Sequence, residues 1–443
     1  MRQRRLRSSP HGWIAVATFV LMVAALLFAA LAPASATRPL TVSLTFDDGR
    51  ANQMTAQQLL VNHGMVGTFY INSSNIDTPG GHMTRGDLET LRANGHEIGG
   101  HSANHLSLRS LSLDEVERQI CTDRNTLLSW GYAVTSFAYP FSDFNQSVQS
   151  TVRACGYNTA RTVGNLWSPH DCAECAATEP IPPSDLYATG TAADVNETWT
   201  LEDLQSTVTR AETNGGWLTF VFHSVCDGCD PYSIRQSVLD QFLTWLQTRS
   251  ETSVKTVQQV VTGSVQPTVA PPPPAPPGGP GVNTVRNPSL EAVSAVDTRL
   301  PQCFDSAGYG NNSVTFARIA DAHSGRFAER VTVGSIVDGD ATLLPIMDLG
   351  ECSSQVASGR IYEVSVWYKS DVAVAFQLYK RNAIGQWTYW EHSSRFAPTP
   401  VWTRAAFVSP PTPADALGVS FGLAINSAGA LTTDDYGFAE VPR

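Results

Sequence analysis

Positive charge is in short supply in this chain of 443 residues: 29 Lys and Arg stand against 40 Asp and Glu, a net charge of −11. Four of those arginines and none of the acids lie in residues 1–36, so the remainder stands at −15. An acidic surface argues against nucleic acid or anionic lipid as a target and suits a neutral or cationic glycan. A second deficit is local. From Gln266 to Gly281 the string QPTVAPPPPAPPGGPG has no hydrophobic periodicity and almost no side chain able to pack. It reads as an extended, semi-rigid spacer between two domains. Charge is also absent from Trp13 to Leu31, which follows a basic stretch containing Arg2, Arg4, Arg5 and Arg7 and precedes Ala34-Ser35-Ala36. That is the layout of a signal peptide over 1–36, cleaved after Ala36, with secretion as the consequence. The alternative is an uncleaved anchor, because the apolar run is long enough to span a bilayer. The Arg4-Arg5 pair lacks the rest of a twin-arginine signal, which leaves ordinary export.

In an exported chain the eight cysteines belong in disulfides. Cys303 and Cys352 stand alone in the C-terminal half and are expected to pair. Cys121 and Cys155, on consecutive helical segments, are expected to pair as well. Cys172/Cys175 and Cys226/Cys229 form two CxxC strings, read as disulfides rather than a zinc knuckle, with connectivity left open.

Residues 37–263 alternate strand and helix patterns. Leu40–Phe46, Val66–Ile71, His96–Gly100, Val134–Ala138, Asn158–Arg161 and Trp217–Phe222 read as strands. Helical patterns fill Asn52–His63, Thr84–Asn94, Ser112–Trp130, Gln146–Cys155 and Ser233–Thr248. Thr84 with Asp87, and Ser112 with Glu115, have capping-box spacing. Repeated βα units imply a parallel sheet, here a closed or partly closed (β/α) barrel. Residues 264–283 are the spacer. Residues 284–443 show short period-two runs between Gly, Asn, Ser and Pro turns, the pattern of an antiparallel β-sandwich.

Chemistry concentrates in TFDDG (Thr45–Gly49) and HSANH (His101–His105). Two histidines at i and i+4 share one face of a helical turn. With one carboxylate they form a three-ligand set for Zn²⁺ or a similar ion, and the second carboxylate is free to act as a base. Asp47 and Asp48 follow one strand and the histidines another, while Tyr139-Pro140-Phe141 ends a third and His223 a fourth. Active sites of such barrels collect at these C-terminal strand ends.

In this order the motifs resemble the NodB-homology polysaccharide deacetylases, carbohydrate esterase family four, over roughly Leu40 to Thr262. The resemblance implies that Asp48, His101 and His105 hold a divalent metal, most often Zn²⁺. It implies Asp47 as general base on the attacking water, His223 as general acid, and the backbone N–H near Phe141 as oxyanion donor. Three positions depart from the family pattern. Ala138 stands where an arginine is usual, Phe141 where a tyrosine is, and Ser224 where an aspartate is common. Arg161, at the end of the following strand, is the cation expected to replace the missing one beside Asp47. Cys226 and Cys229 are expected to anchor a rim loop beside His223. His63, His82 and His96 read as structural or surface residues.

The C-terminal part resembles secreted carbohydrate-binding modules through RNPSLE, AHSGRFAERV and TDDYGFAEV. Alternation puts Trp367 and Tyr379 on solvent faces of neighbouring strands, with Trp387 close by, as a sugar-stacking surface. A structural Ca²⁺ at Glu291 and Asp435 is implied by resemblance alone. The sequence is thus read as a secreted, monomeric, metal-dependent polysaccharide deacetylase. It would act on N-acetyl or O-acetyl groups of a glycan such as chitin or peptidoglycan, with no nucleic-acid partner and no membrane contact beyond export. The rival readings are an acetylxylan-type O-acetyl esterase and a catalytically weak glycan-binding protein.

Overall fold

The computed structural model describes residues 38–442, so the signal peptide expected over 1–36 lies outside the described residues. Among the described residues no helix is long and apolar enough to cross a membrane. Strand β1 (Leu40–Phe46) is buried along its whole length, as a central parallel strand covered on both faces must be. It leads into α1 (Met54–Asn62), β2 (Thr68–Ile71), α2 (Arg85–Ala93), β3 (Glu97–Gly100), α3 (Leu113–Ser129), β4 (Ser136–Ala138) and α4 (Gln146–Ala154). Then come β5 (Thr159–Asn165), β6 (Thr189–Thr191), α5 (Leu201–Asn214), β7 (Gly216–Phe222), α6 (Gln236–Leu246) and β8 (Thr252–Val254). The sheet is parallel with strand order β6-β5-β4-β3-β2-β1-β7. β8 pairs with the first half of β1, ahead of the stretch that pairs with β2. The sheet curls until its ends nearly meet: beyond β6, Ala192 N–H donates to Thr219 O at 2.9 Å and Val195 N–H to Val221 O at 3.0 Å. The result is a curled parallel half-barrel.

Local chemistry sets the helix starts. Thr84 and Asp87 form a complete capping box on α2. On α3 only half of the expected box is made. Ser112 Oγ accepts from Glu115 N–H at 3.3 Å, but the Glu115 carboxylate turns away. It accepts instead from Arg118 Nε at 2.7 Å, Gln119 Nε2 at 2.9 Å and the Leu349 N–H of the C-terminal domain at 2.8 Å. A longer-range partner has won over the local one.

The C-terminal domain is an antiparallel sandwich. Its strands are β9 (Phe304–Tyr309), β10 (Asn312–Ile319), β11 (Ala328–Ile336), β12 (Asp340–Pro345), β13 (Tyr362–Ser370), β14 (Ala375–Arg381), β15 (Trp387–His392), β16 (Thr399–Val408), β17 (Gly418–Ile425) and β18 (Gly429–Glu440). One sheet runs β9-β12-β17-β14-β15, the other β10-β11-β18-β13-β16. Val364, Val366 and Tyr368 of the second sheet meet Phe376, Leu378 and Phe421 of the first in one core. This corrects the expected aromatic surface. β13 and β14 belong to different sheets, so Trp367 and Tyr379 lie on opposite outer faces of the sandwich. Alternation assigns the face of a strand but not the sheet it joins.

The disulfides are Cys121–Cys155, Cys303–Cys352, Cys172–Cys175 and Cys226–Cys229, the CxxC strings each closing on themselves. The start of the proline-rich segment is strapped to α3. Arg124 donates to Gln266 O at 2.8 Å and Pro267 O at 3.1 Å, and Asn125 Nδ2 to Val269 O at 2.7 Å. The sandwich rests against the half-barrel rather than standing off from it.

Candidate metal centre and active site

The strand ends converge on a cavity of about 520 Å³ lined by Asp47, Asp48, His101, His105, Phe141 and His223, among others. Asp47 ends β1, with its N–H bonded to Phe222 O at 2.9 Å. At Asp48 (φ +74°) the chain enters the left-handed region, which turns consecutive carboxylates into the same cavity. Asp48 Oδ1 lies 3.5 Å from His101 Nε2 and 3.3 Å from His105 Nε2, while Oδ2 accepts from Arg50.

The histidines are not on a helical turn, contrary to the i, i+4 expectation. Residues 101–107 are irregular, and Ser102 (φ +65°) and His105 (φ +56°) both adopt left-handed backbone. Such conformations cost energy and persist where surrounding contacts over-determine them. Here those contacts are visible. Asp123 on α3 accepts from His101 N–H at 3.0 Å and Ser73 N–H at 2.9 Å, Asn72 Nδ2 donates to Ser102 O at 3.0 Å, and Gln119 O accepts from Ala103 N–H at 3.0 Å. His101 Nδ1 sits 2.7 Å from Ala138 O. Donation to that carbonyl leaves the Nε2 lone pair facing Asp48, the usual way of orienting a ligating imidazole.

Asp48, His101 and His105 have donor atoms within 4.8 Å of one another, and they are the one such group of three among the described residues. Asp48 Oδ1 is buried without a hydrogen-bond partner. Two imidazole nitrogens and one carboxylate oxygen suit a borderline divalent ion. The residues fit a metal.

Asp47 and Arg161 are both 2% exposed. Arg161 reaches across from β5, one strand beyond Ala138, and its guanidinium hydrogen-bonds Asp47 Oδ1. Burial alone would push the Asp47 carboxyl up, but Arg161, His101 and His223 outweigh it and hold it below its ordinary value. Burial and the neighbouring His101 push His105 down to about 4, so it is neutral at physiological pH.

His223 follows β7 on the opposite side, with Asp194 Oδ1 3.9 Å from its Nδ1. Asp194 was not legible in the sequence: it follows the three-residue β6, whose TGT string carries no periodic signal. Burial raises its carboxyl. The Cys226–Cys229 loop carries Tyr232, whose ring centroid is 5.4 Å from that of His223. Phe141 (φ +55°) exposes its ring at the cavity rim against His105, at 4.5 Å between centroids. His82, expected to be structural or at the surface, lines the cavity with Arg50. His96 is buried, with Nδ1 accepting from Gly67 N–H at 3.1 Å.

In the sandwich, Trp367 stacks on His323 at 3.8 Å, and Tyr379 and Trp387 lie at the junction with the half-barrel. Glu291 and Asp435 both hold the loop over 323–327. Glu291 Oε1 accepts from Arg326 and Phe327 N–H at 2.8 and 2.9 Å, and Asp435 binds Ser324 Oγ and His323.

Residues 34–160 match the polysaccharide deacetylase family model. A peptidoglycan-N-acetylglucosamine deacetylase of Listeria monocytogenes is 33% identical over 115 residues, 25% of this chain and 23% of the relative. A chitin deacetylase of a Pestalotiopsis species is 32% identical over 127 residues, 28% of this chain and 41% of that protein. The chain therefore spans less than half the length of either relative. Among solved structures, a xylan-binding domain of Paenibacillus barcinonensis superposes with a TM-score of 0.28 at 15% identity, covering 38% of this chain and 99% of that one. Over residues 34–160 the N-terminal half-barrel of this chain is thus similar to polysaccharide deacetylases.

Proposed function

We propose that this chain is a secreted, metal-dependent hydrolase that removes acetyl groups, N-linked in the first instance, from a polysaccharide. The observation that carries this reading is the convergence of Asp47, Asp48, His101, His105, Arg161 and His223 on one cavity from separate strands. Asp48, His101 and His105 would hold the ion, for which Zn²⁺ suits the donor set. A bound divalent ion supplies Lewis acidity, activating water and polarising the acyl carbonyl. Asp47 takes the proton of the attacking water, with Arg161 on Oδ1 keeping the carboxylate ionised and fixed in direction. A C–O bond forms to the acyl carbon as the carbonyl π-pair moves onto oxygen, and collapse of that adduct then breaks the C–N bond. His223 delivers a proton to the departing amine, with Asp194 beside its Nδ1. The Phe141 backbone N–H would face the developing oxyanion.

Arg161 weighs against the reading as a mere glycan binder, which rested on Ala138 and Phe141, by bringing a cation from the neighbouring strand. The test is acetate release from chitin oligomers, peptidoglycan and acetylxylan by zinc-loaded full-length protein. Asp47→Asn should lower turnover by about 10²–10⁴ with bound metal unchanged. Release from acetylxylan alone would replace the amide reading with the ester one. Release from none, or full turnover in Asp47→Asn, would overturn it.

A further inference from the structure

Beside the metal cavity lies a second cleft, about 680 Å³, whose walls come from different domains. Asn75 and His82 line both depressions, so the two adjoin. Tyr379, Trp387 and Tyr389 form the facing wall. They belong to β14 and β15 on the outer side of their sheet, away from the sandwich core, and Tyr389 is 53% exposed.

The wall is held in place by the β14–β15 turn. Asn382 Oδ1 accepts from Ile384 and Gln386 N–H at 3.1 and 3.0 Å, pre-forming the turn. The turn then binds the loops that follow β2 and β3. Ser74 Oγ donates to Ile384 O at 3.1 Å, Asn104 Nδ2 to Gly385 O at 3.0 Å, and Gln386 Nε2 to Ile76 O at 2.6 Å. Gly385 has φ +84°, and a Cβ there would lie 2.6 Å from Ser74 Oγ and 2.8 Å from Leu349 Cδ2. Only glycine permits that approach.

We propose that this interdomain cleft is a substrate subsite: sugar units flanking the reacting one cross the domain junction and stack on Trp387 and Tyr389. An apolar aromatic wall with a few polar groups opposite is what a pyranose presents surfaces for, its C–H face to the rings and its hydroxyls to the amides. The sandwich thereby contributes part of the active-site groove rather than serving as a remote anchor. This assignment rests on the metal cavity acting on a glycan, but it predicts binding that is measurable without turnover.

The full-length Asp47→Asn protein is titrated calorimetrically with dimers and hexamers of N-acetylglucosamine, acetylated xylose and peptidoglycan glycan strand. At least one hexamer should bind tenfold or more tightly than its dimer. Trp387→Ala and Tyr389→Ala should each bring that ratio to within about twofold, and Gly385→Val, which displaces the wall, should do the same. Tyr389 is exposed, so its truncation reads the cleft even if Trp387→Ala fails to fold. A ratio that survives Tyr389→Ala and Gly385→Val, or no hexamer preferred over its dimer, overturns the subsite. A Trp387-dependent hexamer preference without acetate release from the unaltered protein would keep the subsite and sink the deacetylase reading.

Discussion

Removing the Arg161 guanidinium should move the acid limb of the pH–rate profile to higher pH. Asp47 and Arg161 are both almost wholly buried, and burial is the largest influence on the carboxyl, opposed first by Arg161. A unit charge pair at about 4 Å and an effective dielectric constant of about 20 interacts by about 4 kcal/mol. In Arg161→Ala the carboxyl therefore rises, and the ionised base is lost at a higher pH. The fold should lose about 3–5 kcal/mol as well, because Asp47 is left buried and uncompensated. The folded-state carboxyl is depressed below its ordinary 3.8, so the pair's stabilisation is present above about pH 4 and fades as pH falls. Arg161→Met combined with Asp47→Asn should recover much of the stability and none of the turnover. The assay is kcat/KM for acetate release between pH 3 and 9, with urea unfolding of the same variants. A profile for Arg161→Ala that superimposes on the unaltered protein would refute the argument.

Two further outcomes concern other groups of the chain. His105→Ala should cut metal stoichiometry, read by elemental analysis after dialysis, while far-ultraviolet circular dichroism is retained, because His105 is part of a ligand set on an irregular loop rather than a core residue. In the sandwich, Glu329 is fully buried with neither carboxylate oxygen hydrogen-bonded, and burial pushes its carboxyl up to about 8. The folded state then keeps a proton that the unfolded chain releases, so stability should decline from about pH 5 to 8 and level off above. Glu329→Gln should flatten that decline and gain on the order of 2–4 kcal/mol at pH 8, read by chemical denaturation across the pH range.

The strands that carry Asp47, His101 and His223 were legible because buried parallel strands leave apolar runs bounded by glycine and polar turns. Their alternation with capped helices placed those residues at one barrel end. The conformation at His101 was not legible. An i, i+4 pair suggests a helix, whereas Asp123, Asn72 and Gln119 from other elements hold it as a left-handed loop. Asp194 escaped because β6 is three residues long and carries no apolar run to mark it as a strand. Period-two patterns separated core from solvent residues in β13 and β14, yet sheet membership is decided by where the chain crosses over between them. Glu115 looked like half of a local cap, and nothing in its neighbours in sequence could reveal Leu349 as its partner.

The strap along α3 has a practical corollary for anyone dividing the gene. Arg124 is wholly buried, and two of its acceptors are carbonyls of Gln266 and Pro267. A truncation at the composition break would open a trough over Val134 and Cys155 and uncover a cation that normally never meets solvent. Expression trials that stop short of Val269 would be working with a wounded fragment, and a poor yield from it would say nothing about the enzyme.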